Sequence, residues 1–276
     1  MFKNILPRLW AFDLEWVPDA ESGRRVYNLP DSASDEEVIF EMWKQGGATD
    51  EDPQPYLKTV LCRVVSVAAV CRSVQNGEIV LEIKSLPKFG EEPYSEEKLI
   101  ENFLVSVGKQ KPQLVGYNSS EADLPILVQR GIAKGISVKS FCERPEKKWD
   151  GGVDYFDNWG YSHIDLKKIL MGFGKSTPSL HQIAEVSGIP GKLDTSGQDV
   201  ISLWRKGDMQ AILEYNIFDA LTTYLVWLRT AHFSGLIEPD NYYEEQLCVL
   251  NLLKDKIAKG ENYLEKYLSR WSFALS

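Results

Sequence analysis

The sequence predicts an α/β protein built on a mixed sheet that is flanked by helices. An apolar run at residues 9–12 predicts a first buried strand. The stretches 60–70 and 78–86 flank an Asn76-Gly77 pair, which is a strong signal for a β-hairpin. Helical patterns then alternate with short strands, and this order suits a mixed sheet.

The later elements follow from periodicity and capping signals. Ser95 precedes a pattern of apolar residues at helical spacing, which predicts an N-capped helix. A short strand is expected at residues 113–116, and a helix at 123–131 that ends at a glycine. The longest helical pattern covers roughly residues 209–232, with one face toward the core. A further helical pattern at 241–268 predicts a tail that packs on the domain.

We expect two parts in the chain. Residues 1–235 would form the main domain, and residues 236–276 a helical C-terminal extension packed on it. Residues 18–58 break the strand and helix patterns with prolines, a Gly-Gly pair and an excess of acidic residues, which predicts an acidic insertion. A short helix is expected at 36–44. The insertion would gate a cleft, recruit another protein or simply be solvated.

Composition limits the classes of function. With 31 Lys and Arg against 40 Asp and Glu, the net charge is −9, which opposes nonspecific binding of duplex nucleic acid. No apolar run is long enough for a membrane helix, and Asp13 interrupts any signal-peptide core. The four cysteines form no C-x-x-C pair, and the three histidines are scattered, so we expect a reducing compartment, the cytoplasm, and no zinc site.

The first group of candidate functional residues is Asp13-Leu14-Glu15. Strand alternation points Asp13 and Glu15 to the same side, where both carboxylates could touch one metal ion. Divalent cations such as Mg²⁺ prefer oxygen ligands, and a pair of such ions can cleave phosphodiesters. The alternative is a solvated strand end.

Two further groups of candidate residues contain an acid: one lies at the start of a predicted helix, and the other lies within a predicted helix. Asp123 begins a predicted helix, where it could hold a metal ion or only favour the helix N-terminus. Asn118 lies in the loop before it and could be only a turn residue. Tyr215 and Asp219 are four residues apart on one helix face, so the phenol could orient a water near the carboxylate. The alternative for Tyr215 is a core aromatic.

Taken in order, the segments AFDLEW, LVGYNSSEADLPIL and EYNIFDALTTYLVWLR resemble the three exonuclease motifs of the DEDD superfamily, in the variant with a tyrosine in the third motif. The chain resembles in particular the predicted 3′-5′ exonucleases related to the proofreading domain of family B DNA polymerases. The resemblance spans about residues 9–230 and includes SLHQIAEVSGIPGK, which lies outside the acidic motifs.

The resemblance implies a ribonuclease-H-like fold with a five-stranded mixed sheet. It also implies a metal-dependent 3′-5′ exonuclease that uses two divalent ions, Mg²⁺ or Mn²⁺. Asp13, Glu15 and Asp219 would bind the ion that activates water, with Asp13 bridging to the second ion. Asp123 would hold the second ion mainly through water, and Tyr215 would orient the nucleophile.

Other residues carry weaker expectations from the resemblance. Leu14 and Asn118 lie where the superfamily contacts the terminal nucleotide. Asp165 resembles a recurring acid of the middle region, but we favour a helix cap for it. Structural roles are expected for His163 and His181. One group of aromatic residues in the loop at 140–162 could stack bases or pack the loop, and we favour packing: Trp149, Tyr155, Phe156, Trp159 and Tyr161.

The expected substrate is the 3′ end of single-stranded nucleic acid, DNA rather than RNA. The residues after 230 are too few for a polymerase, so a replication or repair partner would be a separate protein. Three alternatives stay open: a 3′-5′ exoribonuclease, a catalytically silent module that binds nucleic acid or protein on the same fold, and an endonuclease or recombinase, which the tyrosine disfavours.

Overall fold

The computed structural model describes residues 1–91, 94–147, 152–157, 160–173, 176–193 and 197–275. The described strands are β1 (Arg8–Pro18), β2 (Cys62–Gln75), β3 (Glu78–Leu86), β4 (Gln113–Gly116) and β5 (His163–Asp165). The described helices are α1 (Ala20–Tyr27), α2 (Asp35–Gln45), α3 (Glu96–Gln110), α4 (Asp123–Ala133), α5 (Lys139–Cys142), α6 (Leu166–Leu170), α7 (Leu180–Val186), α8 (Gly197–Arg205), α9 (Met209–Phe233), α10 (Pro239–Ala258), α11 (Leu264–Leu268) and α12 (Ser272–Leu275).

The five strands form one mixed sheet in the order β3-β2-β1-β4-β5. The pairs β1/β2 and β2/β3 are antiparallel, whereas β1/β4 and β4/β5 are parallel. Helices pack on both faces of this sheet, so the expected α/β architecture and its hairpin are confirmed. The topology is that of the ribonuclease-H-like fold that the resemblance implied.

The first strand is longer than the sequence predicted. β1 continues through Asp13 and Glu15 to Pro18, so the two acids lie within the strand and not at its end. The antiparallel partner β2 pairs with β1 along its whole length, while β4 pairs only with residues 9–11. β1 therefore extends beyond β4, and its C-terminal half has a strand neighbour on one side.

Alternating residues of β1 contribute to the two cores on opposite faces of the sheet. Leu9 and Ala11 pack in the core that contains α9, whereas Phe12 and Leu14 pack in the core that contains α3 and α4. By the same alternation, Asp13 and Glu15 belong to the face that α9 covers. The strand geometry therefore directs both acids toward the longest helix.

Helix α9 is buried on more of its surface than the sequence predicted. We expected one face toward the core, but residues around the whole helix are buried, among them Trp227 and Thr223. The reason is that the tail covers its outer side: Val249 and Leu253 of α10 and Trp271 lie in the same core as α9. In the described part of the chain, no helix is both long and apolar enough to span a membrane.

The segment 18–58 contains two helices. The expected short helix is present as α2, which begins with a capping box between Ser34 and Glu37. Helix α1 was not predicted. Its start is anchored by the buried Arg130, which forms ion pairs with Asp19 at 2.7 Å and with Glu96 at 2.5 Å. This network attaches the base of the segment to α3 and α4.

In the aromatic loop, the structure favours packing for Tyr155. Its ring stacks on Phe141 with centroids 5.2 Å apart, and its hydroxyl donates to the carbonyl of Pro112. Trp149 and Trp159 lie outside the described residues.

A buried ion pair fastens the tail to the sheet. The guanidinium of Arg72 on β2 forms two hydrogen bonds to the carboxylate of Glu245 on α10, at 2.7 and 3.1 Å. The hydroxyl of Tyr224 on α9 donates to the same carboxylate, and Trp227 lies beside the guanidinium. One carboxylate thus connects the sheet, α9 and α10.

We expect Glu245→Ala to destabilise the protein by about 3–5 kcal/mol, because it leaves the Arg72 charge buried without its partner. The measurement is the free energy of unfolding in urea. Arg25→Ala is the matched control, since it breaks the exposed Arg25–Glu21 pair, which should contribute less than about 1 kcal/mol. Equal losses in both variants would contradict the importance given to the buried pair.

Candidate active site

Three carboxylates from two elements converge beside the C-terminal half of β1. Asp13 and Glu15 come from the strand, and Asp219 comes from α9. One oxygen from each of the three lies within 4.8 Å of the others, and Glu15 is buried. This spacing suits oxygen ligands around a common cation.

Tyr215 lies one helical turn before Asp219, on the same face of α9. Its side chain is buried, and its hydroxyl interacts with the Asp219 carboxylate. Burial, and next the charges of Asp219, Glu15 and Asp13, raise the pKa of the phenol far above its usual range. Tyr215 is therefore neutral at physiological pH and keeps its proton.

Asp123 is the first residue of α4 and approaches the site from another direction. It is buried, and its Oδ1 atom finds no hydrogen-bond partner among the described residues. The backbone amide of Leu14 interacts with the carboxylate, and Asp123 raises the pKa values of Asp13 and Glu15 by repulsion. The sequence-predicted acids are therefore all close enough to interact electrostatically.

Asp165 organises the loop that precedes Asp123. Its carboxylate accepts hydrogen bonds from the backbone amides of Asn118, at 2.9 Å, and Ser120, at 3.1 Å. It also accepts from the amide of Lys167, so the cap that we favoured is present at the start of α6. The acid therefore fixes both the loop and the following helix.

Asn118 and Leu14, the two residues predicted to contact the terminal nucleotide, lie in different surroundings. Asn118 has a left-handed backbone, with φ of 64°, and its side-chain oxygen accepts a hydrogen bond from the Lys167 ammonium at 2.8 Å. Leu14 borders the cleft beside the acids, although its side chain is almost fully buried.

His163 and His181, for which structural roles were expected, both have hydrogen-bond partners. His163 Nε2 lies 2.8 Å from the Ser119 hydroxyl, and burial lowers the pKa of His163 to about 4. His181 Nδ1 accepts a hydrogen bond from the amide of Lys192.

Repulsion and burial together disfavour charge in the cluster. Burial is the main cause that raises the pKa of Asp123 to about 7 and that of Asp219 to about 6. The pKa values of Asp13 and Glu15 are also well above their usual range, first because of burial and then because of neighbouring carboxylates. Lys192 acts in the opposite direction on Asp219.

These observations fit divalent cations. The converging oxygens are hard ligands, the cluster is repulsive without a counter-charge, and Asp123 offers a buried oxygen that has no partner in the described residues. Asp13, Glu15 and Asp219 have the spacing to hold such an ion.

Sequence reasoning missed one residue that positions Asp13. The buried Asn216 donates a hydrogen bond from its side-chain amide to Asp13 Oδ2 at 2.7 Å, and its oxygen accepts one from the Ser66 hydroxyl at 2.7 Å. Ser66 lies opposite Glu15 in the strand pairing. A polar residue within the apolar run of α9 was the available signal.

Comparison with known proteins identifies the family of the segment that carries Asp123, Tyr215 and Asp219. Residues 54–271 match the family described as "Predicted 3′-5′ exonuclease related to the exonuclease domain of PolB". Asp13 and Glu15 precede the matched range, so their place beside Asp219 comes from the structure. A DNA polymerase of Archaeoglobus fulgidus is 27% identical over 134 residues, and the match covers 48% of this chain but only 17% of the polymerase.

We expect Asn216→Ala to weaken Mn²⁺ binding about 10- to 100-fold, because residues that orient metal ligands have effects of this size. Isothermal titration calorimetry on the full chain measures the affinity, and a melting curve checks that the variant is folded. Ser66→Ala should have a smaller effect, since Ser66 reaches Asp13 only through Asn216. Unchanged Mn²⁺ affinity in folded Asn216→Ala would refute the positioning role.

The metal-free protein should lose stability as pH rises from about 4 to 7. Carboxyls with raised pKa values bind more protons in the folded state than in the unfolded state over this window, so folding is favoured at its acidic end. Melting temperatures in EDTA would be compared between wild type and Asp123→Asn, in which the pH dependence should be weaker. Added Mn²⁺ should stabilise the wild type most at the alkaline end. Identical pH profiles in EDTA would contradict the raised pKa of Asp123.

Proposed function

The chain belongs to the family of predicted 3′-5′ exonucleases related to the exonuclease domain of PolB, and on this premise we propose that it removes nucleotides from 3′ ends of single-stranded nucleic acid. The observation that carries the proposal is the convergence of Asp13, Glu15 and Asp219 within 4.8 Å. The order of its motifs and the adjacent Tyr215 support the tyrosine variant of the DEDD exonucleases.

In this proposal, the carboxylates of Asp13, Glu15, Asp123 and Asp219 hold two divalent ions, Mg²⁺ or Mn²⁺. When bound, such ions activate a water molecule and stabilise the leaving oxygen in phosphodiester hydrolysis. The Asn216 amide keeps Asp13 in one orientation. Because the acids repel one another, a bound cation would stabilise the cluster.

Tyr215 would orient the attacking water. The phenol keeps its proton and interacts with the Asp219 carboxylate. The hydroxyl oxygen then has lone pairs that can accept a hydrogen bond from the water. Tyr215 thus fixes the direction of attack without taking a proton itself.

We propose DNA as the preferred polymer, supported by the similarity to a DNA polymerase. The net charge of −9 opposes nonspecific binding of duplex nucleic acid, which relies on basic surfaces. We retain Leu14 and Asn118 as contacts to the terminal nucleotide. The Asn118 side chain binds the Lys167 ammonium, which also forms an ion pair with Glu121 at 3.6 Å.

The cellular setting is also a proposal. All four cysteines are free thiols, which suits the reducing cytoplasm. A separate replication or repair protein would supply the context in which 3′ ends are trimmed.

The proposal predicts that wild-type protein shortens 5′-labelled single-stranded DNA from its 3′ end with Mg²⁺ or Mn²⁺ but not with EDTA. Asp13→Ala and Asp219→Ala should each lower the rate by at least about 10²–10³-fold, because each removes a metal ligand. Tyr215→Phe should lower it by about tenfold, the equivalent of one hydrogen bond. Denaturing gels resolve the ladder of products.

RNA and circular single-stranded DNA distinguish the alternatives. Faster shortening of RNA would assign an exoribonuclease, and cleavage of the circle would assign an endonuclease. If folded wild type with bound metal cuts none of these polymers, the silent binding module replaces the exonuclease. Full activity in both Asp→Ala variants would reject the site.

A further inference from the structure

The segment 51–57 forms a wall of the cleft that contains the candidate active site. This cleft of about 420 Å³ is lined on the catalytic side by Asp13, Glu15, Tyr215 and Asp219. Residues 51–57 and Trp43 of the acidic insertion supply another part of its lining, together with Ile201 of α8. The insertion therefore reaches the reacting centre.

Local contacts give this wall a defined shape although it has no regular secondary structure. Thr49 and Asp52 exchange two hydrogen bonds of 3.0 Å, which close a turn before the wall. Leu57, at its other end, packs in the core of the insertion, close to Gly46. Pro53 and Pro55 each restrict the backbone between these anchors. Such a segment can bind a ligand at a low cost in conformational entropy.

Tyr56 is the aromatic residue on this wall, and 83% of its surface is exposed. An aromatic ring held at the edge of a nuclease cleft can stack on a nucleobase, an interaction that tolerates any base. The same wall carries the carboxylates of Glu51 and Asp52. Their charge, added to that of the catalytic acids, makes this end of the cleft unfavourable for another phosphate.

We propose that residues 51–56 form the subsite for the terminal nucleoside, with Tyr56 stacked on its base. The inference rests on the proposed function and adds the residues that select the end of the strand. A terminal nucleoside with a free 3′-hydroxyl brings no charge beyond the scissile phosphate, so the acidic wall accepts it. A continuing strand or a 3′-phosphate would place a negative charge against Glu51 and Asp52.

The test compares wild type, Tyr56→Ala and Tyr56→Phe on single-stranded oligonucleotides that end in a normal nucleotide or in an abasic one. Tyr56→Ala should lower kcat/KM about tenfold or more on the normal end, and Tyr56→Phe should restore most of the loss. On the abasic end, wild type and Tyr56→Ala should be equal. Phe40→Ala is the matched control, because Phe40 is an exposed aromatic of the insertion that does not line this cleft.

A second comparison tests the acidic wall. The double variant Glu51→Gln/Asp52→Asn should increase cleavage of a 3′-phosphorylated oligonucleotide relative to one with a 3′-hydroxyl. An unchanged ratio between the two substrates would overturn the role of the two acids.

Binding measurements separate this inference from the exonuclease proposal. With Mn²⁺ present, thymidine 5′-monophosphate should bind wild type more tightly than deoxyribose 5-phosphate, and Tyr56→Ala should remove the difference. If this pattern holds while no polymer is cut, the subsite stands and the exonuclease proposal fails. If polymers are cut but Tyr56→Ala equals wild type on normal and abasic ends, the subsite is overturned. Absence of both cleavage and base-dependent binding overturns both.

Discussion

Like charges held close together impose the main constraint on this protein. Asp13, Glu15 and Asp219 lie within 4.8 Å of one another; Glu15 is buried and the other two are half-buried, so water screens their repulsion only in part. Such an arrangement persists only if the surrounding structure resists separation of the carboxylates. Several contacts around the site oppose the separation of the carboxylates.

Three connections oppose this separation. Asn216 holds Asp13 from α9 and is itself held by Ser66 of β2. Asp165 holds the loop that leads to Asp123. The third connection is more distant: the carboxylate of Glu245 binds both the sheet and α9, the helix that carries Asp219. Contacts in several parts of the domain thus oppose the repulsion among the acids.

Simple periodicities could predict which acids and aromatic side chains share a face within one element, whereas the convergence of the three segments came from the family resemblance. Strand alternation put Asp13 and Glu15 on one face, and helical spacing put Tyr215 and Asp219 together. The length of β1 could not be predicted, because it depends on pairing with β2, which is distant in sequence. The role of Asn216 was missed for the same reason, since both of its partners come from strands far from α9. The path of the insertion into the cleft depends on tertiary contacts such as those of Arg130.

The burial of α9 on nearly all sides has a consequence for how the chain can be divided. Side chains from α10 and the residues after it complete the same core that supports the helix carrying Tyr215 and Asp219. A fragment cut near residue 235 would keep every proposed catalytic side chain and yet expose the apolar back of α9 to water. The tail and the main domain therefore share one hydrophobic core, and we expect proteolytic removal of the tail to lower solubility and stability.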